Sequence, residues 1–234
     1  MALPIITQPT HKLTLPISKI SVTFRPFLVK EEKILLLAAI GKDATEITNA
    51  IKQIVSNCLI GESVDVNSLL AVDMDYLFLN IRAKSIGNKI DQEFTCNNKI
   101  GETTCGNAMI VPLSVMDVEV SEGPKDKKII LNESTGVLMK YPLFKTYDEN
   151  DVNVGYDMLI SCLDSAFDET QTYSFKDQTK EEIIEWIESL TKSQFQLLQD
   201  WYDSLPTMEL KKAFKCSKCG FDHEVNISDP ISFF

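Results

Sequence analysis

Phe214-Lys215-Cys216-Ser217-Lys218-Cys219-Gly220-Phe221 is the stretch on which the reading of the fold turns. Two cysteines separated by two residues and followed by glycine put two thiolates on one tight turn, and the glycine allows the left-handed backbone that such a knuckle needs. Apolar residues alternate on both sides, Ala213 and Phe214 before it and Val225 and Ile227 after it, which places the turn at the tip of a β-hairpin. That is half of a zinc ribbon, and the missing half is a second pair of cysteines.

Cys96 and Cys105 supply the pair, spaced C-x8-C. Phe94-Thr95-Cys96 leads out, Cys105 leads back to Met109-Ile110-Val111, and the turn formers Asn97, Asn98, Gly101 and Gly106 lie near the bend, so a looped-out knuckle on a second hairpin is expected. Cys96, Cys105, Cys216 and Cys219 are then the candidate ligands of one tetrahedral zinc. Four protein ligands leave no open position for water or substrate, so the ion is expected to be structural, tying residues near 100 to the C-terminal end. Two alternatives stay open: a redox dithiol at Cys216 and Cys219, and ordinary buried cysteines. A redox pair normally opens a helix after a strand, whereas a strand is expected to follow here. His223 can replace one thiolate in principle, but reads as an exposed strand residue. Cys58 and Cys162 fall at apolar helix positions and read as core, and His11 sits in a polar arm.

Upstream, Pro4, Pro9 and Pro16 predict an extended, largely irregular arm, followed by a strand through Ile20, Val22 and Phe24. Glu31 to Ile40 reads as a helix ended by Gly41. Asp43 and Glu46 cap a second, with Ile47, Ile51, Ile54, Val55 and Cys58 on its buried face. Met74 to Ser85 is predicted helical before Gly87. Past Gly123-Pro124, Lys128 to Leu131 and Gly136 to Tyr141 read as a β-hairpin, and Val154 to Leu163 as a helix. Thr179 with Glu182 and Thr191 with Gln194 are successive capping boxes, starting two helices expected to pack as an αα-hairpin.

The chain has 234 residues, is 44% hydrophobic and carries 34 acidic against 23 basic residues, a formal net charge of −11. The apolar content supports an ordinary globular core, and the charge opposes phosphate and anionic lipid as main partners. No run reaches the roughly 20 apolar residues of a membrane helix, and Met1 to Thr10 lacks a basic leader, so a soluble, unsecreted protein is expected. Six cysteines in such a protein point to thiol or metal chemistry rather than a disulfide framework. Nucleophile-elbow, phosphate-loop, dinucleotide and zinc-protease motifs are absent, which predicts a non-enzyme without a small-molecule substrate. The acidic pairs Asp73/Asp75 and Glu181/Glu182 fit helix N-terminal charge preference. Asp148-Glu149-Asn150-Asp151 lacks the spaced ligands and glycine of a calcium loop.

Several stretches together resemble the baseplate proteins of T-even-like phages: Leu77-Phe78-Leu79-Asn80-Ile81-Arg82-Ala83-Lys84-Ser85, Val137-Leu138-Met139-Lys140-Tyr141-Pro142, the acidic helix Glu181 to Leu190, the knuckle from Phe214 to Gly220, and the closing Phe233-Phe234. Where that family usually has C-x-x-C, this sequence has the longer Cys96/Cys105 spacing. The resemblance implies a component of the contractile-tail baseplate hub, located in the virion's tail baseplate and assembled in the host cytoplasm. Its partners would be other hub and tail proteins, with no nucleic acid and no membrane involved. Docking surfaces would include Met1 to Pro16, the αα-hairpin, and Phe233 and Phe234 as aromatic anchors. The alternatives are a transient hub assembly chaperone absent from the mature virion, and a zinc-ribbon regulator of nucleic acid or polymerase using Lys211, Lys212, Lys215 and Lys218.

The expected fold class is α+β: a mainly helical body with a small β zinc-ribbon element and an inserted β-hairpin. The expected organisation is an arm over residues 1–18, an N-terminal α/β portion over 19–90, a ribbon-like β element from 91–120 and 207–234, and an inserted hairpin and helical region over 121–206.

Overall fold

The computed structural model describes residues 6–41, 43–61, 64–147, 151 and 154–227. The chain opens with strands β1 (His11–Thr14) and β2 (Ser21–Phe24), then helices α1 (Val29–Gly41), α2 (Ala44–Cys58) and α3 (Ala71–Ile86). Next come β3 (Lys89–Thr95), the short β4 (Lys99–Ile100) and β5 (Thr103–Thr104), β6 (Ala108–Ser114) and β7 (Glu119–Val120). They are followed by β8 (Lys128–Ile130), β9 (Gly136–Met139), α4 (Val154–Cys162), β10 (Leu163–Phe167) and β11 (Thr172–Ser174). The last elements are α5 (Lys180–Glu188), α6 (Lys192–Asp203), β12 (Met208–Lys215) and β13 (Asp222–Ile227).

The mainly helical body expected from the sequence does not form. The described residues mix six helices with several small antiparallel sheets, an α+β architecture without a helical body. Much of the unforeseen strand lies in a four-stranded sheet of order β11-β10-β9-β8. Its central β10 follows α4 without a break, and Leu163-Asp164-Ser165-Ala166-Phe167 is too short and too mixed in polarity to announce a strand by itself. It becomes one because Leu163 and Ala166 are buried in the core shared with α5 and α6, while its backbone pairs with β9 and β11. The arm, too, is more ordered than expected: His11 to Thr14 pairs antiparallel with β2, in register from His11 opposite Phe24 to Thr14 opposite Ser21. Residues 1–5 of the arm lie outside the described residues.

Helix starts follow the local chemistry. The Asp43 carboxylate accepts from the Glu46 amide at 2.9 Å, and both Thr179/Glu182 and Thr191/Gln194 close as reciprocal capping boxes. Gly87 ends α3 at φ 102°, a backbone conformation that side chains disfavour. Asp73, in the first turn of α3, does more than meet the helix dipole: it is buried, and its two carboxylate oxygens accept from the amides of Ile17 at 2.8 Å and Ser18 at 2.9 Å, anchoring the arm.

Three apolar clusters fill the molecule. The first joins β1 and β2 to α2 and α3 around Phe24, Ile54, Val55 and Phe78. The second lies under α4, α5 and α6 around Met139, Ile187, Leu198 and Trp201. The third, around Leu79, Val111, Leu113, Met208 and Leu210, packs α3 against β6 and β12 and so brings two sequence-distant hairpins together. Beyond it lies a fourth, small cluster made of cysteines. Among the described residues, no helix is long and apolar enough to cross a membrane.

Candidate metal centre

Two hairpins carry the cysteines. The first is β3 and β6, paired from Lys89 opposite Ser114 to Thr95 opposite Ala108; the second is β12 and β13, paired from Leu210 opposite Ile227 to Lys215 opposite Asp222. Their tips have one hydrogen-bond pattern. In the second, the Cys216 amide donates to Phe221 O at 2.9 Å and the Gly220 amide donates to Cys216 O at 2.9 Å. In the first, the Cys96 amide donates to Asn107 O at 2.8 Å and the Gly106 amide donates to Cys96 O at 3.0 Å. Both glycines, Gly106 at φ 63° and Gly220 at φ 73°, occupy the left-handed region.

Cys96, Asn98, Cys105 and Gly106 therefore match Cys216, Lys218, Cys219 and Gly220 one for one. The difference is six residues extruded between Asn98 and Cys105, forming the small hairpin of β4 and β5 with Lys99 opposite Thr104 and Ile100 opposite Thr103. Its base is closed by the Cys105 amide donating to Asn98 O at 2.8 Å, and all of its residues are exposed. The unusual C-x8-C spacing is a C-x-x-C-G knuckle with a finger inserted.

The tips face each other. All four thiol sulfurs lie within 4.8 Å of one another, with Cys96 Sγ 3.7 Å from Cys219 Sγ and Cys105 Sγ 3.9 Å from Cys216 Sγ. Zinc with four sulfurs at about 2.3 Å requires sulfurs about 3.8 Å apart, so the cluster has the dimensions of a tetrahedral thiolate site. Cys96, Cys105 and Cys216 are buried and Cys219 partly so; all six cysteines of the chain are free thiols. A soft, fully thiolate donor set suits zinc among the common divalent ions.

Polar groups surround the sulfurs. The Asn98 side-chain amide donates to Cys219 Sγ at 3.5 Å and that of Asn107 to Cys216 Sγ at 3.6 Å, each crossing from the first tip to the second. The Cys219 amide draws the Cys216 thiol down to about 6, against burial and aided by the Lys218 amide. The Phe221 amide and Asn98 lower Cys219 in the same sense. Burial pushes Cys96 the other way, to about 12. His223 is half-buried rather than exposed: Nε2 lies 3.1 Å from Cys96 Sγ, and the ring sits among Phe94, Phe214 and Phe221. Alternation along β13 places it on the strand, but nothing local in the sequence reveals what it faces.

Cys58 and Cys162 are fully buried in the first and second apolar clusters, and burial raises both thiols to about 11. His11 packs on Phe24 with ring centroids 5.6 Å apart. Phe233, Phe234 and the residues Asp148, Glu149 and Asn150 lie outside the described residues.

Fold and site together define a class: a mixed α+β protein whose distant hairpins converge on a closed four-cysteine cluster. The family described as T4 bacteriophage base plate protein matches residues 8–234, nearly the whole chain, and the chain belongs to that family. It is thus a baseplate protein of the phage tail. No curated protein and no solved structure matches it.

Proposed function

We propose that this chain is a component of the baseplate hub of a contractile phage tail, assembled in the host cytoplasm and retained in the virion, acting by protein–protein docking. Cys96, Cys105, Cys216 and Cys219 hold one structural zinc in this reading. The observation that carries it is the family match over residues 8–234 in a chain whose four cysteines converge across sequence separations of 123 and 111 residues. With every coordination position taken by sulfur, such an ion does no substrate chemistry; it supplies cross-linking strength to the two hairpins. The partners are other hub and tail proteins. Their contact surfaces are the arm, the helices α5 and α6, and the C-terminal phenylalanines. The exposed Val29, Leu36, Leu37 and Ile40 along α1 are in keeping with a protein that works among neighbours.

A nucleic-acid regulator draws little support from the same surface. Lys211 pairs with Glu209 at 2.5 Å, Lys215 pairs with Asp222 at 3.3 Å, and Lys218 donates to Cys105 O at 3.2 Å, so three of the four lysines named for that reading have local partners. The decisive experiment is mass spectrometry of purified particles beside baseplate intermediates from infected cells, normalised to a known tail protein. Stoichiometric recovery in particles is expected. Recovery in intermediates alone makes the protein an assembly chaperone, and absence from both refutes the hub assignment.

A further inference from the structure

We infer that His223 is a positioning residue for the four-cysteine site, its Nε2–H donating to Cys96 Sγ and holding that sulfur as a thiolate toward the metal. The inference rests on the metal reading of the cluster. Four thiolates around a divalent ion carry a net charge of −2, and in a site closed to water this charge must be met by protein donors. Cys216 and Cys219 draw on the amides of their own short turn, at Lys218, Cys219 and Phe221, with Asn107 and Asn98 added from across the interface. Cys96 is fully buried and has the Asn98 amide from its own loop. His223 reaches it from the opposite hairpin at 3.1 Å, closer than the asparagine contacts at 3.5 and 3.6 Å.

The ring is also held in place. Its centroid lies 4.9 Å from Phe94, 5.0 Å from Phe221 and 5.5 Å from Phe214, the last nearly stacked at 27°. An imidazole packed among three phenylalanines loses hydration, which is offset when its N–H finds an acceptor, and Cys96 Sγ is the acceptor in reach. The two tips are related in this respect. Two residues past the matched positions Asn107 and Phe221 stand Met109 and His223, and each reaches across: Met109 Sδ accepts from the Ser217 amide at 3.4 Å, and His223 Nε2 lies 3.1 Å from Cys96 Sγ. The arrangement makes each hairpin support the other's half of the site, so the metal and the interface form together.

The test uses the full-length protein loaded with cobalt(II) in place of zinc, with His223→Phe, which fills the aromatic box without a donor, and His223→Gln, which restores an N–H. All three proteins are expected to show four-thiolate charge-transfer intensity. His223→Phe should bind zinc and cobalt roughly tenfold to a hundredfold more weakly, with its charge-transfer band moved to lower energy and Cys96 alkylated faster. His223→Gln should recover part of each change. Unchanged affinity and band energy in His223→Phe would reduce His223 to packing and overturn the inference. A rise in thiolate intensity on substitution would make the histidine itself a ligand and overturn it equally. A wild-type protein with no thiolate bands would instead remove the metal reading, and this inference with it.

Discussion

Arg25 and Glu31 show how single residues set local order. Glu31 is fully buried; its Oε1 lies 3.1 Å from the Arg25 guanidinium and its Oε2 accepts the Leu28 amide at 2.8 Å, fastening the start of α1 to the end of β2. Burial disfavours the charged carboxylate, but Arg25, the Leu28 amide and Lys30 more than offset it and hold its pKa below the ordinary 4.5. A carboxyl lowered in the folded state contributes stability above its ordinary pKa and loses it as pH falls through the lowered value. Glu31→Gln is therefore expected to cost about 2 kcal/mol at neutral pH, with the gap to wild type closing as pH drops below about 4.5 in chemical denaturation. An unchanged gap across that range would show that the charge is not what fastens the helix. Asp73 is a lesson of the same size: its place at a helix N-terminus suggested dipole chemistry alone, whereas its partners, Ile17 and Ser18, lie more than fifty residues away.

Elements with local causes were legible. Asp43, Thr179, Thr191 and Gly87 mark their helix ends in sequence and do so in the structure, because a cap needs only neighbours within a few residues. The cysteine hairpins were legible for a related reason, since turn formers and alternating apolar residues are local signals. What escaped were β1, β10 and β11, three to five residues each, whose strand state depends on partners such as β2 and β9 and on the helices they pack against. The inserted finger shows the limit clearly. C-x8-C reads as a loose loop until the Cys96, Gly106 and Asn107 bonds reveal a complete knuckle. Because the finger of β4 and β5 is exposed and closed at its base by one backbone bond, deletion of residues 99–104 should leave Cys-Asn-Asn-Cys-Gly and preserve metal binding. Zinc stoichiometry and competition against a chelator would measure this, and loss of the metal on deletion would contradict the alignment of the two tips.

At the scale of the whole molecule, the cysteine cluster joins hairpins separated by more than a hundred residues, with the body around α4, α5 and α6 lying between them in sequence. Closing so long a loop costs conformational entropy, which burial of Leu79, Val111, Leu113, Met208 and Leu210 in the third apolar cluster helps to offset. A metal bound by the folded chain and not by the unfolded one adds its binding free energy to stability. In the proposed reading a metal staples the two hairpins of a baseplate protein whose surfaces do the work. The central claim of that reading is tested most directly by the zinc content of the purified full-length protein together with its Tm before and after chelation. One zinc per chain, and a Tm that falls on its removal and recovers on its return, is the predicted result. A chain with four intact thiols, no bound zinc and a Tm indifferent to chelator would contradict it.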